Sequence, residues 1–405
     1  MRCEIVAQLT TNSTLLILIL ISYLISHNKM KKLRVVVLGA GFGGLELTSM
    51  LSEAIGDNLD LTLIDQHDSF YFGFSKLDVM FGHKPADSVK IPYSSIVKPG
   101  VRFCKETITA IDPETRTVTT QSGTHEADVL VVALGANYNY GATPGLTEHG
   151  NEYYTFEGAE KLRDVIPNFK KGHAIVGVCG APFKCPPAPS EAALMLHDYL
   201  ATAGTRDACT ISIVMPFGSP IPPSPDSSKA LLKAFEERGI QFVPQHKVAS
   251  LSANKAILDD GTEMPFDLFL GIPKHVAPDV VLQSGLAVEG WIPVDRQNLL
   301  TRFPNVYAIG DVTSVGTPKA GVFAEGAAKI AAASIIANYK GQQNEKGYTG
   351  AGSCYIEFGK GQVARVDVDF FSGPKPFGIH HDASEALTID KEYFGSSRKA
   401  RWFGR

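Results

Sequence analysis

The chain has few cysteines, no excess of charge of one sign and no long apolar run. Its six cysteines include no C-x-x-C pair and no C-x-x-C-H motif, which argues against a structural metal site and against attached haem. Six cysteines are also too few to hold 405 residues together by disulfides. The 38 basic residues are balanced by 42 acidic ones without a long basic block, so nucleic acid is not an expected partner. The composition is typical of an α/β protein, and the length of 405 residues allows two or three domains.

The N-terminus allows three interpretations. Residues 15–25 form an apolar run of roughly a dozen residues, shorter than the ~20 residues that a membrane-spanning helix needs. The run is the core of a signal peptide, or a membrane anchor, or it is not translated because synthesis begins at Met30. We favour the start at Met30, because a short basic stretch follows it and leads directly into the first strand.

A glycine fingerprint follows the first buried strand. Residues 35–38 are continuously apolar, and Gly39, Gly41 and Gly44 then fit the spacing G-x-G-x-x-G. The first glycine allows a tight turn, the second lets backbone N–H groups approach a pyrophosphate, and the third lets the helix pack against the strand. A second strand, 61–65, ends at Asp65, where a carboxylate can bind a ribose. These four residues predict a dinucleotide-binding domain.

A second unit repeats this design in a damaged form. Residues 174–178 form another buried strand, but Cys179 stands at the position of the second glycine and Pro182 at that of the third. Cys179 adds a side chain where a phosphate needs a bare backbone, and Pro182 removes an amide donor. The next strand ends at Met215 and Pro216, without an acid for a ribose. We expect this domain to keep the fold without binding NAD(P)H well.

Two further strands, one before and one after the second unit, belong to the first unit. Residues 128–135 form a buried strand that ends at Gly135, and residues 306–311 form one that ends at Gly310 and Asp311. The predicted fold class is α/β, with two Rossmann-like domains, the first discontinuous, and a small C-terminal α+β region. The predicted segments are an N-terminal extension (1–29), the first domain (30–150 and 286–340), the second domain (151–285) and the C-terminal region (341–405).

These motifs resemble the flavoproteins with two dinucleotide domains, which include the pyridine nucleotide–disulfide reductases and type II NADH dehydrogenases. The resemblance covers residues 33–371, and the sequence Y-A-I-G-D ending at Asp311 is its most specific part. It implies FAD as the cofactor, bound at the first fingerprint. It also implies that Asp311 binds the ribityl and phosphate region, and that Gly135 and Gly310 lie against the cofactor.

Within this family, the cysteines are similar to those of sulfide:quinone oxidoreductases and of the flavoprotein subunit of flavocytochrome c sulfide dehydrogenase. The segment around Cys185, with Glu191 six residues on, resembles their central-cysteine segment. Cys354 lies where the partner cysteine is found, and Lys319 lies in a segment similar to the one in which a lysine approaches the flavin. A third cysteine found in some members has no counterpart here.

The resemblance implies a redox relay. Hydrosulfide would attack a Cys185–Cys354 disulfide, after which Cys185 carries the sulfane chain and Cys354 passes electrons to the flavin. Lys184 or a helix N-terminus would lower a thiol pKa, Glu191 would act as acid or base, and Lys319 would bind FAD and stabilise its reduced form. The alternatives are structural thiols, a helix-capping Glu191 and a solvated Lys319.

The sequence offers more than one candidate for the partner thiol of Cys185 and for the electron acceptor of the flavin. Cys179 is a rival partner for Cys185, although we favour a packing role for it. A membrane quinone is the favoured electron acceptor, and a separate cytochrome c subunit is the alternative acceptor. The alternative functions are a type II NADH:quinone reductase and a non-catalytic flavoprotein that serves as a binding scaffold. The basic and aromatic C-terminal tail is expected either to contact a membrane surface through Trp402 and Phe403, which would make the protein peripheral to the membrane, or to be a flexible solvated terminus. A homo-oligomer is a further expectation.

Overall fold

The computed structural model describes residues 32–404. The predicted signal peptide, anchor or untranslated segment at 1–29 lies outside these residues. The strands, in chain order, are β1 (Leu33–Leu38), β2 (Leu59–Asp65), β3 (Ser69–Phe70), β4 (Ile91–Pro92), β5 (Val101–Lys105), β6 (Ile108–Asp112), β7 (Thr117–Thr120), β8 (Gly123–Glu126), β9 (Val129–Val132), β10 (Asn137–Asn139), β11 (Asn151–Glu152), β12 (Gly172–Val178), β13 (Cys209–Met215), β14 (Ile240–Pro244), β15 (Val248–Ser252), β16 (Lys255–Leu258), β17 (Glu263–Pro265), β18 (Leu268–Ile272), β19 (Lys274–Val276), β20 (Val306–Ala308), β21 (Gly352–Gly359), β22 (Gln362–Asp369) and β23 (Phe377–Ser384).

The described residues also form nine helices. In chain order they are α1 (Phe42–Ile55), α2 (Ser75–Met80), α3 (Leu146–His149), α4 (Phe156–Val165), α5 (Ala188–Thr202), α6 (Pro225–Glu237), α7 (Asp279–Gln283), α8 (Gly321–Tyr339) and α9 (Glu385–Phe403). Within residues 32–404, no helix combines the length and apolarity that crossing a bilayer requires.

The first sheet is parallel and has the strand order β20-β9-β1-β2-β5. In its central strand β1, residues 35–38 are all buried. Val35 and Val37 face α1 and α8, whereas Val36 and Leu38 lie in a cluster with Ile111 of β6 and Val118 of β7. Strand β20 comes from far along the chain and pairs with β9, so the first domain is discontinuous as predicted. Helix α8 then packs on α1, and its many alanines allow this close approach.

The second sheet repeats this arrangement with the order β11-β18-β12-β13-β14, again parallel throughout. A third, antiparallel sheet of the order β21-β22-β23 belongs to the C-terminal region, and α9 packs on it. The predicted fold class of two Rossmann-like domains and a small C-terminal α+β region is confirmed.

The C-terminal tail is a correction to the sequence analysis. It folds into helix α9, and Trp402 and Phe403 are buried in the core of the first domain instead of being exposed to a membrane. Trp402 packs edge-to-face on Phe42 and Phe70, and its indole N–H donates to Glu46 at 2.7 Å. The large apolar surface of these two rings is stabilised better by the core than by an aqueous interface.

Two arginines of the tail also form ion pairs within the fold. Arg398 pairs with Glu325 of α8 at 2.7 Å, and Arg401 pairs with Glu46 of α1 at 2.9 Å. Both carboxylates are largely buried, so these pairs fix α9 across the two helices of the first domain. The charge of the tail is therefore used within the fold.

Candidate active site

A cleft of about 920 Å³ lies where the two dinucleotide domains and the C-terminal region meet. All three parts of the fold contribute to its walls. Of the predicted site residues, the cleft is lined by Gly39, Gly41, Asp65, Gly135, Cys185, Glu191, Gly310, Asp311 and Cys354. The structure thus brings together residues from across the chain that sequence reasoning assigned separately to a cofactor and to redox chemistry.

The turn between β1 and α1 shows why glycine is needed there. Gly39 has φ +96°, and a Cβ on it would lie 2.5 Å from the carbonyl oxygen of Ala133. A Cβ on Gly44 would lie 1.9 Å from the oxygen of Gly39, so only glycine lets α1 begin this close to β1. Gly44 does not line the cleft, and its contribution is this packing of helix on strand. The N-terminus of α1 consequently faces the cleft, where an anion is stabilised.

Asp65 is held at the end of β2. Its carboxylate accepts hydrogen bonds from the backbone N–H of Ala40 at 2.8 Å and of His67 at 2.9 Å. These bonds join the end of β2 to the glycine turn. The carboxylate lies at the cleft wall, in the position expected for a ribose ligand.

The opposite side of the cofactor region follows β9 and β20. Gly135 and Gly310 both have positive φ, +67° and +75°, and bring backbone to the cleft wall. Asp311 follows in a short 3₁₀ turn, and burial raises the pKa of its carboxyl while Lys184 and Lys319 act to lower it. An elongated dinucleotide with anionic phosphates fits this arrangement of a helix N-terminus, bare backbone and two separated carboxylates.

Cys185 lies in the loop that joins β12 to α5. The residue has φ +52°, which is uncommon outside glycine and is often found at functional sites. Its N–H donates to the oxygen of Lys319 at 2.7 Å, and its own oxygen accepts from Ala188 N at 2.8 Å. These bonds fix the cysteine between the first turn of α5 and a segment of the first domain.

Cys354 reaches the same cleft from strand β21. Burial raises its pKa to about 12, and the nearby carboxylates of Glu191 and Asp367 act in the same direction. Burial also raises the pKa of Cys185, and the charges of Glu191 and Cys354 add to this. Both cysteines are free thiols in the structure and pack against the same core cluster.

Cys179, the rival partner, is placed elsewhere. It is buried in a separate cluster beside Val214 and Val248 and does not line the cleft. Its thiol points back towards the oxygen of Gly177. The geometry agrees with the packing role that we favoured for it.

Glu191 belongs to the first turn of α5 and is 3% exposed. It does not cap its own helix: its carboxylate accepts from the backbone N–H of Glu357 at 3.0 Å. Burial raises its pKa to about 7, and the ammonium of Lys391 opposes the shift. A carboxyl with this pKa at the wall of the cleft exchanges a proton near neutral pH, as an acid or base must.

Lys391 was missed by the sequence analysis. It comes from α9, is 8% exposed, and forms an ion pair with Glu357 beside Glu191. Its ammonium also lies 4.9 Å from the centre of the Phe74 ring. Nothing in the local sequence of the tail distinguishes Lys391 from its solvated neighbours, because its partners come from distant elements.

The ammonium groups of Lys319, expected at the flavin, and Lys184, expected at a thiol, both donate to backbone oxygens. The Lys319 ammonium is behind the turn at Asp311, donating to the oxygens of Asp311 at 2.5 Å and Thr313 at 3.3 Å, and it does not line the main cleft. An effect of Lys319 on the cofactor would therefore act through Asp311. The Lys184 ammonium donates to Ala136 O at 3.1 Å and lies over the Tyr138 ring.

The second fingerprint differs from the first in the position of its helix. After β12 ends at Val178, helix α5 begins only at Ala188, and the loop between them carries Cys185. The adjoining strand β13 ends at Met215, which is fully buried. The tight turn of the first domain is thus replaced by a longer loop that carries Cys185. Weak binding of NAD(P)H by this domain stays a prediction.

Comparison with protein families identifies the group to which this site belongs. Residues 33–333 match the family model described as pyridine nucleotide-disulphide oxidoreductase. The chain belongs to this family. It is a flavoprotein oxidoreductase with FAD as its cofactor, and the residues around the first fingerprint fit that cofactor.

Three individual similarities narrow the comparison. The chain is 25% identical to the mitochondrial sulfide:quinone oxidoreductase of Mus musculus, over 88% of this chain and 82% of that protein. It is 28% identical to the sulfide-quinone reductase of Aquifex aeolicus (strain VF5), over 80% and 81% of the two chains. The X-ray structure of the sulfide:quinone oxidoreductase from Aquifex aeolicus superimposes with a TM-score of 0.83, covers 92% of both chains at 23% identity, and supports the fold.

Proposed function

We propose that the chain oxidises sulfide through Cys185 and Cys354 and delivers the electrons by way of FAD to a quinone. The observation that carries this proposal is the convergence of two cysteines and a buried carboxyl on the wall of the FAD cleft. The similarity to sulfide:quinone oxidoreductases over most of the chain supports the same substrates.

The first chemical step takes place at the oxidised cysteine pair. Hydrosulfide attacks the Cys185 sulfur of a Cys185–Cys354 disulfide, so that a new S–S bond forms on Cys185 and the bridge breaks. Cys185 then carries a persulfide, and Cys354 leaves as a thiolate with the electron pair of the broken bond. When bound, FAD supplies the two-electron acceptor that this thiolate needs.

Glu191 handles the proton in this step. Its pKa of about 7 lets it receive the proton of the hydrosulfide or persulfide and release it again at neutral pH. Lys391 and the N–H of Glu357 stabilise its charged form, so that it is not locked in the protonated state by burial. The side chains of Lys391 and Phe394 close the cleft on the side of α9.

A quinone acceptor is consistent with two features. The second domain lacks the phosphate turn that NAD(P)H needs. The C-terminal region exposes several large apolar side chains on β23 and α9, namely Phe377, Ile379, Ile389 and Tyr393. We propose that these residues, and not Trp402 and Phe403, contact the membrane that holds the quinone.

Anaerobic stopped-flow absorbance of the FAD-loaded protein tests the reaction. We expect sulfide to bleach the flavin rapidly and NADH to leave it oxidised, after which a short-chain quinone restores the absorbance. Bleaching by NADH without a response to sulfide would refute the proposal and favour the NADH:quinone reductase. Reoxidation by cytochrome c, with no response to quinone, would favour the alternative acceptor.

Flotation with anionic phospholipid vesicles tests the membrane contact. The double variant Ile389→Ser, Tyr393→Ser should float less than the parent, whereas Leu232→Ser, which removes an exposed leucine of the second domain, should not differ. Equal flotation of all three proteins would remove α9 from the proposed contact. The homo-oligomer stays a prediction that the molar mass in solution decides.

A further inference from the structure

The first turn of α2 places a lysine in the cleft whose ammonium, among the described residues, forms no ion pair with a carboxylate. Lys76, in the first turn of α2, lines the cleft with Cys185. Its ammonium donates to the backbone oxygen of Tyr154, and in the described part of the chain it forms no ion pair with a carboxylate. Burying an ammonium with so few partners is unfavourable, and burial lowers its pKa to about 7. Such a cation is expected to have an anionic partner during the reaction.

Tyr154 connects this ammonium to the cysteine loop. The backbone oxygen of Tyr154 accepts a hydrogen bond from the Lys76 ammonium. The hydroxyl of Tyr154 donates to the backbone oxygen of Lys184 at 2.9 Å. That oxygen belongs to the peptide bond that joins Lys184 to Cys185. Tyr154 is 5% exposed, and the Tyr138 hydroxyl donates to the same backbone oxygen at 2.9 Å. Lys76 is therefore fixed relative to Cys185 through one buried residue.

The charged groups around Cys185 differ in their effect on a negative charge at its sulfur. Glu191 and the Cys354 thiol both disfavour a negative charge on the Cys185 sulfur, while Lys76 is the cation that favours it. Lys184, although next in sequence, directs its ammonium to Ala136 O and the Tyr138 ring. A thiolate or persulfide anion on Cys185 would otherwise face a buried carboxyl without compensation.

We propose that Lys76 is a positioning residue that stabilises the anionic sulfur on Cys185, as thiolate or persulfide. This deepens the proposed function and rests on Cys185 being the sulfur-carrying residue. It assigns to α2 the role that the sequence analysis gave to Lys184 or to a helix N-terminus.

The test measures the alkylation rate of each cysteine in the FAD-loaded protein after reduction with a phosphine. Iodoacetamide is added at several pH values, and peptide mass spectrometry follows Cys185 and Cys354 separately. In Lys76→Met, alkylation of Cys185 near pH 7, where Lys76 is still partly protonated in the parent, should be about tenfold slower. Cys354 should react at the parental rate, and Lys76→Arg should restore Cys185. Lys90→Met is the matched control, because Lys90 lines the same cleft but pairs with Asp87 at 3.1 Å.

The titratable groups that shape these profiles come from several elements. Facing Cys185 or Lys76 are Glu152, Tyr153, Tyr154, Glu157, Lys184, Glu191 and Cys354. All are retained in every variant, so a shift in Lys76→Met that Lys76→Arg reverses reports the charge at position 76.

Two results would overturn the inference. One is an unchanged pH profile of Cys185 in Lys76→Met, and the other is an equal slowing of Cys185 and Cys354, which would indicate altered packing of the cleft. Alkylation requires no sulfide. A shifted Cys185 profile in a protein whose flavin does not respond to sulfide would therefore uphold the electrostatic role of Lys76 and refute the proposed function.

Discussion

The two dinucleotide-binding domains have the same frame and differ in the loop after their first strand. In the first domain, Gly39 and Gly44 let α1 begin almost directly after β1, and Asp65 ends the neighbouring strand. In the second, α5 begins well after β12, and the intervening loop holds Cys185 at the cleft. The βαβ frame therefore fixes where each loop lies, while the residues of the loop determine which chemical groups it presents to the cleft.

The largest expected effect concerns the chemistry of the second loop. Cys185→Ser and Cys354→Ser should each lower sulfide-dependent reduction of the flavin by about 10⁴-fold, because each removes one half of the disulfide. Cys179→Ser, a change in the same loop at a buried position outside the cleft, should stay within about threefold of the parent. Stopped-flow absorbance at equal flavin content gives the rates. If Cys179→Ser were as slow as Cys185→Ser, the assignment of the pair would be wrong.

The next effect concerns the phosphate turn of the first domain. Gly44→Ala should destabilise the protein by about 2–3 kcal/mol and cause loss of FAD, because its Cβ would overlap the oxygen of Gly39. Gly41→Ala has open space around its Cβ, so the free energy of unfolding should change by less than about 0.5 kcal/mol. FAD affinity should nevertheless fall on the order of tenfold, since the Cβ points where backbone approaches the cofactor.

Thermal denaturation of the FAD-free protein and FAD titration separate these two contributions. Two variants with equal stability losses would show that Gly41 and Gly44 do not divide the roles of approach and packing in the way the geometry indicates.

A smaller effect concerns Glu191. The folded protein keeps its proton up to about pH 7, whereas the unfolded chain loses it near the ordinary pKa of 4.5. The contribution of Glu191 to stability is therefore fully present below pH 4.5 and is lost as the pH rises through 7. Glu191→Gln removes this loss, so its free energy of unfolding relative to the parent should increase by about 3 kcal/mol between pH 4.5 and pH 8.

Urea denaturation at several pH values measures this difference, and Glu148→Gln, at an exposed position, is the control. Glu191→Gln should also lose the pH dependence of sulfide oxidation near neutral pH. A constant stability difference across the range would mean that Glu191 is ionised in the folded protein, contrary to the role proposed for it.

The smallest expected effect concerns the reduction of the flavin by NADH, which should not appear when the second fingerprint is repaired. Cys179→Gly combined with Pro182→Gly restores glycine to the second fingerprint, yet NADH should still not bleach the flavin. The reason is that α5 continues to begin at Ala188, too far from the turn to direct its N-terminus at a pyrophosphate. Stopped-flow absorbance with NADH checks this. Rapid bleaching would show that two side chains, and not the loop, separate the domains.

Much of the fold and part of the site could be predicted from the sequence. Gly39, Gly41, Gly44 and Asp65 follow from local spacing, because a strand, a turn and a helix within one βαβ unit have little freedom. The roles of Cys185, Glu191 and Cys354 came from resemblance. Their presence on one cleft wall is a property of the fold, since they belong to a loop, a helix and a strand from two domains.

The tail shows where sequence reasoning failed. Aromatic and basic residues at a chain end have the composition of a membrane-surface segment, and Trp402 and Phe403 were interpreted in that way. Their actual partners are Phe42, Phe70 and Glu46, which lie more than 300 residues earlier. The residue pattern within the tail does not indicate which distant elements it packs against.

The two dinucleotide-binding units and the difference between their fingerprints follow from the sequence alone, because glycine spacing and the apolar character of a strand are properties of neighbouring residues. The tertiary structure alone decided which charges meet the sulfur chemistry. It directed Lys184 and Lys319 away from Cys185, placed Lys391 beside Glu191, and brought Lys76 into the cleft. Electrostatic interactions depend on distance and burial in space, and neither quantity can be obtained from separation along the chain.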